Sequence, residues 1–324
     1  MATVKEVAKA AKVSVATVSR VISGAGYVSP QLKERVQAAM ATLSYHPSAV
    51  ARSLRTQQTY NVGVLIPQID HPFFSTLTFA IEGTLFKSQY RCFVCSAEEN
   101  PQKEEAYIDA LLSQRVGGVI LVPTGQQEAG VRRLLAQGVP VVLIDRDLPT
   151  VEVDRVLSDN YHGAAELTRH LVALGHRRLG VIGTSESSQA MSERLRGTRE
   201  TLLEAGLEPA EPCLQAPLEQ FGAGYETAIR LLARSPRPTA IMALTDVMAV
   251  GVMHAATDLG LTLPGDLSVT GFDDIPLASH VLPALTTVAQ PLHAMGSAAA
   301  ELLRKRMAGP GSAPERTVLP TRLV

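Results

Sequence analysis

Carboxylates, guanidinium forks, amides and aromatic rings recur along this 324-residue chain directly after short apolar runs. His71-Pro72-Phe73-Phe74 follows Val62–Pro67, and Asp145-Arg146 closes the run that starts at Val139. Ser158-Asp159-Asn160 comes next, Arg194 follows Leu179–Gly183, and Phe221 stands further on. Thr245-Asp246 follows Thr239–Leu244, Asp273-Asp274 follows Leu267–Phe272, and Gln290 ends the series. Aromatic faces can lie on the C–H faces of a sugar ring, while carboxylates, amides and guanidiniums pair with its hydroxyls. The candidate ligand residues are therefore His71, Phe73, Phe74, Asp145, Arg146, Ser158, Arg194, Phe221, Thr245, Asp273 and Gln290. Each also has a structural reading. Phe73 and Phe74 suit a core, and Asp145–Arg194 or Asp273–Arg146 suit ion pairs bridging two lobes. Asp246 suits the N-cap of a helix over Val247–Leu259, and Phe221 either a lid or a loop anchor.

The groupings of a catalyst do not occur in the sequence. Cys92-Phe93-Val94-Cys95 has redox spacing, but it falls inside a strand-like run rather than at a helix start, so its thiols read as buried. With Cys213 they make an odd count of three and are expected to be reduced. The eight histidines show no metal-ligand spacing. There is no Walker A, no Gly-x-Ser-x-Gly and no Gly-rich turn opening a helix; Gly222-Ala223-Gly224 and Gly309-Pro310-Gly311 stand in the wrong context. The expectation is a non-enzyme without metal or cofactor.

Ligand residues at the ends of apolar runs need elements to hold them. Val62–Pro67, Cys92–Ser96, Gly118–Val122, Val139–Asp145, Leu179–Gly183, Thr239–Leu244 and Leu267–Phe272 read as buried strands. Between them lie helical stretches such as Gln102–Gln114, Tyr161–Leu174, Glu193–Ala205, Ala223–Leu232, Val247–Leu259 and Met295–Met307. This alternation predicts an α/β fold of doubly wound parallel sheets with helices on both faces. In such sheets ligands bind beyond the carboxyl ends of the strands, where these candidate residues fall.

The first 60 residues are different. They hold eight cations (Lys5, Lys9, Lys12, Arg20, Lys33, Arg35, Arg52, Arg55) against two anions (Glu6, Glu34), while the remaining chain carries 22 cations and 29 anions. A small basic head on an acidic body suits a nucleic-acid-binding module. Thr3 and Glu6 have capping-box spacing before Val7, Ala8 and Ala11. After Lys12-Val13, Ser14 can cap a second helix carrying Val18, Val21 and Ile22, ended by Gly24 and Gly26. Ser29-Pro30 opens a third that would bury Leu32, Val36, Met40 and Leu43. Two short helices across a tight turn make a helix-turn-helix. Val15, Ala16 and Arg20 then occupy the outer face, where a major groove would lie. Arg20 suits guanine O6 and N7, and Val15 and Ala16 can press on thymine methyls. Thr3, Ser14, Thr17 and Ser19 suit phosphates. The plainer alternative is a small helical bundle with a solvated polar face.

The run Thr3–Ile22, with Val15-Ala16-Thr17-Val18-Ser19-Arg20 at its centre, resembles the headpiece of the lactose/galactose repressor (LacI/GalR) family. Tyr45-His46-Pro47-Ser48-Ala49-Val50-Ala51-Arg52-Ser53-Leu54 resembles that family's hinge helix. Lys12 departs from the Gly or Asn common there. The resemblance implies a helix-turn-helix over 1–45, a hinge over 46–59 and a periplasmic-binding-protein-like core over 60–324. The core would comprise an N-lobe of about 60–160 plus a C-terminal return, and a C-lobe of about 161–289. It implies that Leu54 wedges open a base step in the minor groove, at a cost of a few kcal/mol of unstacking. Ala49, Ala51 and Ser53 would let two hinge helices approach, with Arg52 and Arg55 beside phosphates. A linker residue packed on the core is the plainer reading of Leu54. In the family's pattern Phe73 and Phe74 sandwich a sugar ring. Asp145, Arg146, Arg194 and Asp273 bind hydroxyls or a phosphate, and Gln290 completes the set. His71 and Thr245 stand where ribose binders place Asn, which argues against ribose, and two arginines leave room for a sugar acid or phosphate. Family members usually run a little past the position of Val324, so the last strand is expected to be trimmed.

The implied protein is a homodimer on pseudo-palindromic double-stranded operator DNA, gated by a small carbohydrate effector. With no apolar signal segment and no run of the ~18 residues that span a bilayer, a soluble cytoplasmic protein without membrane partners is expected. The rivals are a purine-type corepressor-dependent regulator, a periplasmic sugar receptor and a sugar-converting enzyme.

Overall fold

The computed structural model describes residues 2–23, 26–45, 59–184, 188–207, 214–215, 220–309, 311 and 313–324. Gly24, the hinge positions 46–58 with Ala51, Arg52, Leu54 and Arg55, and Cys213 lie outside the described residues. The chain divides into two compact units, Met1–Thr59 and Tyr60–Val324.

The first unit holds three helices, α1 (Val4–Ala10), α2 (Val15–Ser23) and α3 (Pro30–Thr42). Thr3 Oγ1 accepts from the Glu6 N–H at 3.3 Å, and Glu6 Oε2 accepts from the Thr3 N–H at 2.6 Å, closing the capping box. Ser14 Oγ accepts from the Thr17 N–H at 3.1 Å at the start of α2. Lys12 turns the chain between α1 and α2 at φ 50°, a left-handed conformation that costs a non-glycine residue about 1 kcal/mol. From α3, Arg35 Nη2 donates to the Ala11 carbonyl at 2.6 Å and latches that turn. Pro30 opens α3, but Ser29 makes no side-chain cap bond. Val7, Ala8, Ala11, Val18, Val36 and Ala39 form the core. Leu32 is only half-buried and stands outside that cluster; Ala39, one turn before Leu43, is buried on α3 beside Val36.

The second unit begins with β1 (Asn61–Ile66), α4 (Pro72–Lys87), β2 (Arg91–Ser96), α5 (Pro101–Ser113) and β3 (Gly118–Leu121). It continues with α6 (Ala129–Ala136), β4 (Val141–Ile144), β5 (Asp154–Ser158), α7 (Asn160–Ala173), β6 (Leu179–Gly183), α8 (Gln189–Glu204) and β7 (Leu214–Gln215). Then come α9 (Phe221–Leu232), β8 (Ala240–Ala243), α10 (Asp246–Asp258), β9 (Ser268–Thr270) and β10 (Val288–Ala289). The chain ends in α11 (Leu292–Ala308), β11 (Arg316–Leu319) and β12 (Arg322–Leu323).

Six strands form a parallel sheet in the order β11-β5-β4-β3-β1-β2, and four form a second in the order β7-β6-β8-β9. These are the doubly wound sheets the alternation predicts, one per lobe. The chain passes between lobes at Ser158–Asn160, again between β10 and α11, and a third time between β11 and β12, which pairs antiparallel with β10. In the C-lobe, α8 crosses α7 so closely that a Cβ on Gly197 would lie 2.3 Å from the Tyr161 carbonyl oxygen. Only glycine permits that approach, and it sets the position of Arg194 one turn earlier. On β2 the odd spacing of Cys92 and Cys95 puts their side chains on opposite sheet faces, packed against different core clusters. Both thiols are half-buried rather than buried. Burial pushes Cys92 up to about 11, with Glu82 adding to the shift. No helix among the described residues is long and apolar enough to cross a membrane.

Candidate functional site

On the N-lobe side, the end of β1 delivers His71. Its Nδ1 accepts from the Phe73 N–H at 3.3 Å and caps α4, so the proton of a neutral ring sits on Nε2. Pro72 at the first helical position then carries Phe73 and Phe74 inward, each 3% exposed and part of the lobe's core. Their rings meet edge to face, 5.1 Å apart at 89°. The sandwich expected of them is therefore replaced by one aromatic wall, since rings in mutual contact leave no slot between them. They are core and lining at once. Beyond β4, Asp145 adopts φ 68° and Arg146 follows it. Arg146 grips Glu99 with both ends of its fork (Nη1–Oε2 2.9 Å, Nη2–Oε1 2.8 Å) and donates to the Pro123 carbonyl at 3.1 Å. Its Nε stands 3.9 Å from Asp145 Oδ2, and its guanidinium lies 5.7 Å from the Phe74 ring centre.

On the C-lobe side, Ser188 caps α8, which projects Arg194 inward. Arg194 is 5% exposed, and all three of its nitrogens have partners. Nε donates to Asn160 Oδ1 at 2.8 Å, Nη1 to the Leu244 carbonyl at 2.6 Å, and Nη2 stands 3.2 Å from Asp273 Oδ1. Its guanidinium lies 3.9 Å over the Phe272 ring. Asp273 Oδ1 also accepts from Gln290 Nε2 at 2.7 Å, while Gln290 Oε1 is buried with no hydrogen-bond partner among the described residues.

These two sides meet around a partly open cavity lined by His71, Phe73, Phe74, Asp145, Arg146, Ser188, Ala190, Met191, Arg194 and Asp273. A wider, more open one shares Asp145 and Ala190 with it and adds Ser158, Asp159, Glu193, Arg196 and Arg316. Seven of the candidate ligand residues thus meet in one cleft, and Gln290 touches it through Asp273. Ser158 opens on the wider cavity, donating to Met295 Sδ at 3.0 Å. Thr245 and Phe221 line neither cavity. Thr245 is 1% exposed and caps α10, accepting from the Met248 N–H at 3.4 Å. The cap expected of Asp246 is therefore one residue earlier. Asp246 instead accepts from the Ile275 N–H at 2.8 Å and the Thr287 hydroxyl at 2.5 Å, and burial raises it to about 6. Phe221 starts α9, 40% exposed, its ring 5.1 Å from that of His254. The ion pairs also close differently from the expected cross-lobe pairing: Arg194 meets Asp273 within the C-lobe, and Arg146 meets Glu99 within the N-lobe. Glu99, Ser188 and Met191 were not anticipated, although Glu99 and Ser188 follow β2 and β6, where the strand-end rule points.

In the head, Val15, Ala16 and Arg20 are exposed on α2, as are Ser14 just before it and Thr3 at the start of α1; Thr17 and Ser19 are half-buried. Ser14 and Thr17 share a hydroxyl bond of 2.9 Å. Among the described residues no group of His, Cys, Asp and Glu could hold a metal ion.

A helix-turn-helix unit followed by a two-lobed cleft defines a DNA-binding regulator with a ligand-binding body. Residues 3–48 match the bacterial regulatory proteins of the lacI family, and residues 168–324 match the periplasmic binding protein-like domain. The chain is 33% identical to the HTH-type transcriptional regulator DegA of Bacillus subtilis, over 99% of this chain and 96% of that one. It is 33% identical to the ribose operon repressor of Haemophilus influenzae, over 96% and 93%. A crystal structure of the lac repressor dimer bound to operator and the anti-inducer ONPF superposes with a TM-score of 0.89 at 29% identity, covering 100% and 97% of the two chains. The chain belongs to the lacI family of transcription regulators.

Proposed function

We propose that this protein is a cytoplasmic, non-enzymatic repressor that binds pseudo-palindromic operator DNA as a homodimer under control of a small carbohydrate. The observation that carries this reading is the convergence of Asp145 and Arg146 from one lobe with Arg194 and Asp273 from the other on a single polar cavity. A polyol held there contacts both lobes, so its affinity depends on how they are set. A ligand shifts an equilibrium only by its differential affinity for the two states, typically about 1–3 kcal/mol of coupling. Relatives support the ligand class: one is named a ribose operon repressor, and a solved neighbour is a regulator in complex with cellobiose.

In the head, Arg20 reads guanine, Val15 and Ala16 fit thymine methyls, and Thr3, Ser14, Thr17 and Ser19 hold phosphates. The hinge, with Ala51, Arg52, Leu54 and Arg55, enters the minor groove. The test is operator affinity of the full chain with and without pentoses, hexoses, disaccharides, their phosphates and acids. The reading expects at least one to change affinity about fivefold or more. No change with any of them would overturn it.

A further inference from the structure

The charge around the cleft is set by a residue that does not line it. Arg146 and Arg194 contribute two guanidiniums to the cavity wall, and Asp145 and Asp273 two carboxylates. Glu99 adds a third carboxylate, clamped on both ends of the Arg146 fork in a bidentate geometry. Arg194 is engaged at each nitrogen, one of them by Asp273. Bidentate carboxylate pairing is also the geometry with which a guanidinium would seize a phosphate or a sugar acid. On Arg146 that geometry is occupied by the protein itself. The adjoining cavity is no more welcoming to an anion, since Asp159 and Glu193 accompany Arg196 and Arg316 there, with Arg196 Nη2 held 2.7 Å from Glu193.

We propose that Glu99 makes this cleft selective for uncharged sugars over their phosphates and acids. The inference rests on the carbohydrate reading above and narrows it. With three carboxylates against two paired guanidiniums, an entering phosphate or carboxylate loses its hydration and meets a net negative wall. Hydroxyls meet carboxylate acceptors at Asp145 and Asp273. Glu99 acts through Arg146, and is a positioning residue.

The test is calorimetry on the full chain with glucose, galactose, ribose, fructose and cellobiose, each beside its phosphate or its acid. The sugar that binds is expected to do so at least tenfold more tightly than its own anionic derivative. In Glu99→Gln, which keeps a hydrogen-bonding partner for Arg146 but drops the charge, that ratio is expected to shrink at least fivefold through tighter anion binding. A purely structural role for Glu99 would weaken both ligands alike and overturn the inference. So would a phosphate or acid that binds the unaltered protein as tightly as its parent sugar, a result that stands whether or not the variant folds. If no sugar of either kind binds the folded protein, the carbohydrate reading fails first and this inference falls with it.

Discussion

Arg194 Nη2 stands 3.2 Å from Asp273 Oδ1, and both side chains are nearly sealed from solvent on the wall of the cleft. The pair ties the start of α8 to the segment after β9, with Gln290 on the same carboxylate oxygen. Asp273→Asn should weaken effector binding at least tenfold, about 1.4 kcal/mol, while operator binding without effector stays within threefold. Calorimetry and gel-shift on the same sample separate the two. Equal loss of both would mean the pair only holds the lobe together.

Arg20 is exposed on α2. Arg20→Ala should relax discrimination at one guanine in each half-site by about 1–3 kcal/mol, leaving other positions unchanged. Affinities for a set of single-base operator variants measure this. A uniform loss across all sequences would make Arg20 a phosphate contact.

Leu54→Ala should abolish operator bending, read by circular-permutation gel-shift, with carbohydrate affinity unaltered. Bending that persists would rule out the wedge.

Asp246 is fully buried, and burial holds its carboxyl at about 6 against an ordinary 3.8, despite bonds from Thr287 and Ile275. The raised value means the folded chain binds this proton more tightly than the unfolded chain. Its stabilisation is complete below pH about 4 and is lost as the pH climbs through about 6. The difference is of order 2–3 kcal/mol. Asp246→Asn should flatten that part of the stability profile, measured by urea denaturation between pH 4 and 7. A profile as steep as that of the unaltered chain would contradict it.

Much of this was legible in the sequence because apolar runs and caps are local. The capping box at Thr3 and Glu6 and the seven expected strands, β1 to β4, β6, β8 and β9, follow from neighbours a few residues apart. What escaped depends on distance. β5 was missed because Asp154 and Arg155 interrupt its apolar pattern, and their partners, Arg306 and Asp147, come from elsewhere in the fold. α4 carries no helical signature in the sequence, since its mostly apolar course lacks a polar stripe. Glu99 is 47 residues from Arg146, so no spacing rule links them. Thr245 and Asp246 sit side by side, and only the backbone geometry decides which one caps.

The central claim is that the face bearing Val15, Ala16 and Arg20 reads base edges under the control of a ligand held in the cleft. Selection of the full chain on a library of random duplexes tests it most directly. The expected result is enrichment of a pseudo-palindrome with half-sites about 10 bp apart or a multiple of that, and a change in its affinity on adding a carbohydrate. Duplexes recovered with no common sequence, with and without every sugar tried, would contradict it.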